Sequence, residues 1–243
     1  MASVTCSTCP LRNHKIFVPF SKSEVSFMQS FKKGELTVDE GTTMLMEGSN
    51  SPQLFTVLNG MGTRYMTLEN GRRQVINFVF PGDFIGLQAG VMGEMKHSVE
   101  STTPMRLCVF NRVELWQLFR SHPERSYDLT WMAAVEEHFL GETIASLGQR
   151  DASQRIAWAL VRIYERLRAV GLEKDKSVPL PFRQQDLADA LGLSLVHTNK
   201  TLKAMAAKKL CEWSRGKLTI TDLKPLADLA LIDPERPEVR PLM

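Results

Sequence analysis

Residues 183–222 read RQQDLADALGLSLVHTNKTLKAMAAKKLCEWSRGKLTITD, and the reading of this stretch decides the fold. From Gln184 to Leu191 the apolar positions Leu187, Ala190 and Leu191 fall at helical steps, which predicts a short helix with one inward face. Gly192 supplies a tight turn, Leu193 a buried plug, and Ser194 the N-cap of a second helix running to about Lys208. Alanines at Ala188 and Ala190 let the two helices cross closely. Helix, glycine turn and second helix make a helix-turn-helix. Beyond it, Leu210-Cys211-Glu212-Trp213 and Lys217-Leu218-Thr219-Ile220-Thr221 read as short strands around an Arg215-Gly216 turn, a β-wing. Asp222 then caps a last helix to about Leu231.

The second helix turns Val196, His197, Asn199, Lys200 and Lys203 outward, away from Leu195, Thr198, Leu202 and Met205. Asparagine pairs with adenine edges, and lysine reaches guanine acceptors or phosphate in a groove that admits a helix. Between Leu193 and Ile220 stand six basic residues and one acid, Glu212. A polar helical hairpin alone is a commonplace solvated face. Joined to a wing and a local basic excess, it points to double-stranded DNA. His197, Asn199 and Lys200 are the base-reading candidates, with Ser194 and Val196 beside them. Arg183, Gln185, Lys203, Arg215 and Lys217 are the phosphate-holding candidates.

Working outward, the chain has 243 residues, 43% hydrophobic and 23% charged, which suits one large domain or two ordinary ones with a real core. That composition excludes a disordered or low-complexity chain. No apolar run approaches the ~20 residues of a membrane span, and MASVTCSTCPLRNHK lacks the apolar centre of a secretory leader. Four cysteines are too few for a disulfide framework. The expectation is a cytoplasmic protein with no membrane partner. The net charge of +3 is unevenly spread: residues 1–150 carry 14 basic against 15 acidic, residues 151–243 carry 16 against 12.

Ten of the fifteen glycines lie between Gly34 and Gly93, punctuating short apolar runs at 43–46, 54–58, 63–68, 74–80 and 105–110. That spacing predicts an antiparallel β-roll over residues 34–110, with Glu69-Asn70-Gly71 as a hairpin turn. From Pro123 the period changes, and Leu129, Met132, Val135, Phe139, Leu140, Ile144 and Leu147 mark an amphipathic helix of about 25 residues. Its stripe packs on its own sheet or on a twin helix in a second subunit. A further helix runs from Asp151 to Gly171, and a polar linker follows. The tail from Asp233, DPERPEVRPLM, has three prolines and little to bury, so it reads as flexible.

In its order of elements the chain resembles the Crp/Fnr family of bacterial transcription regulators. The resemblance rests on the glycine-punctuated roll ending in Pro81-Gly82-Asp83-Phe84-Ile85-Gly86, the long connecting helix, and Gln185-Asp186-Leu187-Ala188 with Gly192-Leu193-Ser194. It implies an α+β chain with an N-terminal jelly-roll-like sensor, a long dimerisation helix and a C-terminal winged helix-turn-helix. The divisions are an arm over 1–22 with Cys-x-x-Cys, the roll over 23–121, the long helix over 122–150, the DNA-binding domain over 151–232 and the tail over 233–243. Homodimerisation through Met132, Val135, Phe139, Leu140, Ile144 and Leu147, a palindromic operator and RNA polymerase as partner are likewise implied. Where many relatives carry Glu-x-x-Ser-Arg on the recognition helix, this chain has Val196, Asn199 and Lys200, which implies a different half-site.

The effector pocket implied by the resemblance falls on Gly86, Leu87, Lys96, His97 and Ser98. Cyclic-nucleotide-binding relatives use a Glu after a Phe-Gly pair and an Arg-Ser pair there. Phe84-Ile85-Gly86-Leu87 and His97-Ser98 supply neither the Glu nor the Arg, so cyclic AMP is disfavoured, with Lys96 as a partial substitute cation. Oxygen-sensing relatives hold an iron–sulfur cluster on four cysteines. Cys6, Cys9 and Cys108 match three, and Lys15-Ile16-Phe17 occupies the neighbourhood of the missing one. A cluster, another metal with His14 standing in, a redox-active pair, and no ligand at all are the open alternatives. The other class considered, a cupin-like β-roll enzyme, needs clustered histidines. The five here are scattered, and no nucleotide-loop, nucleophile-elbow or zinc-protease motif occurs, so no catalytic residue is expected.

Overall fold

A computed structural model of the chain describes residues 3–234 and 238–243. Two 3-10 turns, Cys6–Thr8 and Pro10–Asn13, lead to α1 (Lys22–Phe31), which opens on a capping box between Ser21 and Glu24. The roll follows as β1 (Lys32–Val38), β2 (Thr43–Leu45), β3 (Gln53–Asn59), β4 (Gly62–Thr67), β5 (Arg73–Val79), β6 (Phe84–Ile85), α2 (Leu87–Met92), β7 (Ser98–Ser101) and β8 (Met105–Asn111). Its sheets run β1-β8-β3-β6 and β2-β7-β4-β5, with antiparallel pairing throughout. Between β4 and β5 the loop is Glu69-Asn70-Gly71, closed by Leu68 and Arg72, and of these only Gly71 is left-handed. It is a three-residue loop rather than the tighter turn that Asn-Gly suggests.

Alternation along β3 explains why this strand reads as an unbroken apolar run. Phe55 and Val57 point between the sheets, where they meet Leu45, Val79, Ile85, Val99 and Leu107. Leu54 and Leu58 point the other way, onto Met28, Phe31, Leu11 and Phe17 from α1 and the N-terminal arm. A strand covered on both faces loses the polar half of its pattern. β1 and β7 escape the sequence reading for the opposite reason, being rich in Lys, Glu and Ser.

The rest of the chain is α3 (Leu115–Ser121), α4 (Pro123–Gln149), α5 (Ala152–Ala169), β9 (Ser177–Pro179), α6 (Gln184–Leu191), α7 (Leu195–Ala207), β10 (Glu212–Ser214), β11 (Lys217–Thr219) and α8 (Leu223–Ala230). α4 starts on Pro123 and ends where Arg150 turns extended, and Asp151 at once caps α5 through the Gln154 N–H. α5 buries Ile156, Leu160, Ile163 and Leu167 beneath α6, α7 and α8. Part of the polar linker is not loop: β9 completes a three-stranded sheet, β10-β11-β9, with the wing.

The flexible tail expected from Asp233 is contradicted at its far end. Residues 235–237 lie outside the described residues, but Arg240 bridges Phe17, its amide donating to the Ile16 carbonyl at 2.8 Å and its carbonyl accepting from the Val18 amide at 2.9 Å. Leu242 and Met243 are buried against the outer face of the roll. Burying such side chains is worth about 1.5–3 kcal/mol each, a gain that a reading weighted toward the three prolines overlooks.

The N-terminal arm is held as firmly. Glu35 accepts from the Val4 amide at 2.7 Å, from Lys32 Nζ at 2.5 Å and from Arg106 Nε at 2.5 Å. Burial alone would raise the Glu35 pKa, but these donors outweigh it and hold the group down at about 2. A carboxylate with a depressed pKa stabilises the fold above its unfolded value, about 4.5, and loses that contribution as pH falls toward 2. Thermal melts of the parent protein should therefore weaken across that window. In Glu35→Gln the melting temperature should start lower at pH 7 and fall less between pH 4.5 and 2.

Candidate nucleic-acid interface and sensor sites

The DNA-facing geometry follows from which side of α7 is buried. Thr198, Thr201, Leu202 and Met205 pack inward, leaving Val196, His197, Lys200 and Lys203 exposed, with Val196 at 79%. Ser194 caps the helix, its Oγ accepting from the His197 amide at 3.2 Å. Leu195, expected on the inner side, is instead exposed, and Leu193 is only half-buried. Asn199 is half-buried too, with its Oδ1 enclosed and without a hydrogen-bond partner, so its carboxamide is less available than the sequence suggests.

The wing turn places Arg215 and Gly216 both at positive φ, 48° and 70°, the two-residue form that fits the twist of flanking strands. A left-handed arginine is uncommon. It projects here between Ser214 and Lys217, whose strand pairing closes the hairpin. Trp213 Nε1 donates to the Leu180 carbonyl at 3.0 Å and anchors the wing to the domain. Two of the phosphate-holding candidates are already engaged. Arg183 forks onto buried Asp186 at 2.7 and 3.2 Å, which raises its pKa, and Gln185 Nε2 donates to Asp189 at 2.5 Å. Lys203, Arg215 and Lys217 are exposed and have no such partner among the described residues.

α4 leaves large apolar groups exposed along its length, with Tyr127 and Ile144 each at 70% and Val135 and Leu140 also uncovered. Met132, Phe139 and Leu147 are half-buried. Apolar exposure of this kind on a 27-residue helix makes a surface that water disfavours.

The five effector-pocket candidates are engaged with neighbours of their own in the roll. Ser98 Oγ accepts from the Glu47 amide at 3.0 Å, and Lys96 turns outward onto Glu94 rather than toward His97. His97 is buried, and burial, followed by the charge of Arg64, pushes its pKa down to about 4, leaving it neutral. Gly86 caps α2, beside half-buried Leu87. Between the sheets Met95 and Met105 fill the interior with apolar contact. Neither of the two best-formed cavities touches this region. The cations nearby are engaged, Arg64 with Glu136 and the Phe84 carbonyl and Lys96 with Glu94, so the residues as arranged do not fit a cyclic nucleotide.

Both cavities lie elsewhere. One of about 40 Å³ sits where β5, α4, α5 and α6 meet, walled by Phe78, Phe139, Trp158 and Leu191. The other, about 30 Å³, is on the outer face of the roll and brings together Cys6, Cys9 and Cys108, with Leu242 and Met243 on its wall. His14 is not part of it: its ring lies against Gly171, where a Cβ would come within 2.7 Å. Burial raises the Cys6 thiol and pushes Cys108 up to about 12, which favours the protonated form of both. Among the described residues no group of three or more His, Cys, Asp or Glu side chains is arranged to hold a metal ion. With three thiols and no fourth ligand, the site as built does not fit an iron–sulfur cluster. Cys211 is buried in the DNA-binding domain core, as its sequence context suggests.

Sequence reading missed the group that joins the halves. Asp83, in the Pro81-Gly82-Asp83 turn, accepts from the Phe80 amide at 2.9 Å, from Arg166 of α5 at 2.8 Å and from Arg240 at 3.0 Å. A lone carboxylate among Phe80, Phe84 and Ile85 was the available signal. Gly82, at φ 87°, lets this turn approach: a Cβ there would lie 2.3 Å from the Phe17 ring and 2.9 Å from Arg240.

A β-roll joined by a long helix to a winged helix-turn-helix with an open basic face defines a DNA-binding transcription regulator. A cyclic nucleotide-binding domain model matches residues 35–122, and a Crp-like helix-turn-helix domain model matches residues 154–229. The nitrogen fixation regulation protein FixK of Rhizobium meliloti is 30% identical over 79% of this chain and 83% of its own length. FixK of Bradyrhizobium diazoefficiens is 26% identical over 89% of this chain and 90% of its own length, and the transcriptional activator protein FnrL of Cereibacter sphaeroides 26% over 82% and 81%. The solved structure of FixK2 from Bradyrhizobium japonicum superposes with a TM-score of 0.73 at 22% identity, covering 80% of this chain and 96% of that one. The chain belongs to the Crp/Fnr family.

Despite the domain match, the filled interior predicts no response to cyclic AMP. At about 1 mM nucleotide the melting temperature should stay unchanged, whereas a ligand at 100 times its Kd would add about 2.7 kcal/mol of stability.

Proposed function

We propose that this protein is a homodimer that regulates transcription by reading a palindromic operator, with RNA polymerase as partner, in the cytoplasm. The observation that carries the reading is the exposed face of α7: Val196, His197, Lys200 and Lys203 stand clear of the protein beside a basic wing. Two such helices reading half-sites about one helical turn, ~34 Å, apart would need a dimer, and the bare apolar groups of α4 support one. In this reading Lys200 and His197 read bases, with Val196 making apolar contact and Asn199 reaching only its exposed edge. Lys203, Arg215 and Lys217 hold phosphates, and Arg183 and Gln185 contribute only by exchanging their present acidic partners. The roll supplies the signal-dependent part. The histidines support no catalytic role: His14 lies on Gly171, His97 is buried, His122 stacks on Phe27, and His138 is exposed on α4.

A second reading, regulation through thiols, is favoured by one observation, the meeting of Cys6, Cys9 and Cys108 at a single cavity.

Selection of duplexes from a randomised pool, followed by footprinting, tests the main reading. Lys200→Ala should cost about 1–3 kcal/mol on the selected duplex and relax the sequence preference. Lys217→Ala should weaken selected and unrelated duplexes alike and lower the salt slope by about one. Equal footprints from both variants and the parent would remove α7 from the interface. Ile144→Asp should turn a dimer in sedimentation into a folded 27.4 kDa monomer, and an unchanged dimer would exclude this part of α4.

A further inference from the structure

The outer groove of the roll, over β3 and β8, has an occupant within the chain itself. Residues 238–243 follow the DNA-binding domain, return to the roll and settle along the N-terminal arm. Three kinds of contact hold them there: the two main-chain bonds of Arg240 with Ile16 and Val18, the ion pair of Arg240 with Asp83, and the burial of Leu242 and Met243. The Arg240 guanidinium also lies over the Phe17 ring at 5.2 Å, and the Thr56 hydroxyl donates to the Met243 carbonyl. At its far end this segment forms part of the wall of the cavity that holds Cys6, Cys9 and Cys108. At its near end it shares the Asp83 carboxylate with Arg166 of α5, the first helix of the DNA-binding domain.

We propose that residues 238–243 form a clasp, so that one docking event both shields the three thiols and holds the DNA-binding domain in place on the roll. The chemistry supports both ends. A wall of leucine and methionine helps keep water from the cavity, and burial there favours the protonated thiol of Cys6 and Cys108. Asp83 is paired with both Arg166 and Arg240, and removing Arg240 leaves Arg166 as its remaining ion-pair partner among the described residues. Opening the clasp therefore exposes the thiols and loosens α5 against the roll, whichever event comes first. The coupling to DNA rests on the functional reading above, whereas the shielding of the thiols does not.

Thiol labelling without DNA tests the first half, with Ellman's reagent and site-resolved mass spectrometry on the 243-residue chain. In Arg240→Ala, and after deletion of residues 240–243, Cys108 should label at least about tenfold faster than in the parent. Cys211, buried in the other domain, should stay slow and so report that the fold persists. Unchanged labelling of Cys108 in both variants overturns the clasp. Should the deletion speed Cys211 in parallel, Arg240→Ala decides: selective labelling there supports the proposal, and none overturns it. The second half is read as affinity for the duplex that the parent selects from the randomised pool. Opening should shift it about fivefold or more, and an unaltered affinity alongside exposed thiols overturns the coupling. Failure of the DNA reading would show in the parent, which would then select no duplex.

Discussion

A single buried carboxylate sets the arrangement of the halves. Asp83 sits at a turn in the roll with almost no access to water, an environment that alone would raise its pKa. Arg166 first, then Arg240, outweigh that penalty and keep it ionised. Each arginine comes from a different part of the chain, so one carboxylate draws both α5 and residues 238–243 onto the roll. Arg166 also reaches Asn77 at 3.1 Å and the Phe78 carbonyl at 3.3 Å, and Asn77 donates to Glu136 of α4, which pairs with Arg64. Roll, long helix and DNA-binding domain thus share one continuous polar network beneath an apolar seam. Such a network is costly to break at any one member, because the others are left buried without partners.

The roll keeps the architecture of its family while closing the space that architecture can offer. Met95 and Met105 pack between the sheets with Val99 and Ile85, while buried His97 is neutral and Arg64 is paired with Glu136. Its outer face is the more elaborate one. The N-terminal arm, α1 and residues 238–243 all lie there, and so does the cavity that gathers three of the four cysteines. The chemically distinctive groups of this roll are therefore on the side away from its core.

What could be read beforehand depended on how local each determinant was. The helix-turn-helix was legible almost to the residue because Ser194, Gly192 and Asp222 act on their own immediate neighbours: α6 ends at Gly192, and α7 and α8 begin after Ser194 and Asp222. The apolar strands were legible for the same reason. Strands β1, β7 and β9 were not, since their residues are polar and become strands only by pairing with distant partners. Within the site, outward Lys200 and Lys203 followed from helical period, but the engagement of Arg183 with Asp186 depends on side-chain geometry that period does not contain. The docking of Arg240 lay furthest out of reach, because its acidic partner is 157 positions away in sequence.

The break at Arg150 and Asp151 has a mechanical consequence. α4 and α5 meet there with only two non-helical residues between them. The 18 residues of α5 make a rigid arm of about 27 Å. Turning such an arm by about 10° moves its tip by ~5 Å, while neighbouring base pairs are stacked ~3.4 Å apart. A swing of that size carries a reading head past one rung of the duplex, and it must first part Arg166 from Asp83 and α5 from Phe78 and Phe80.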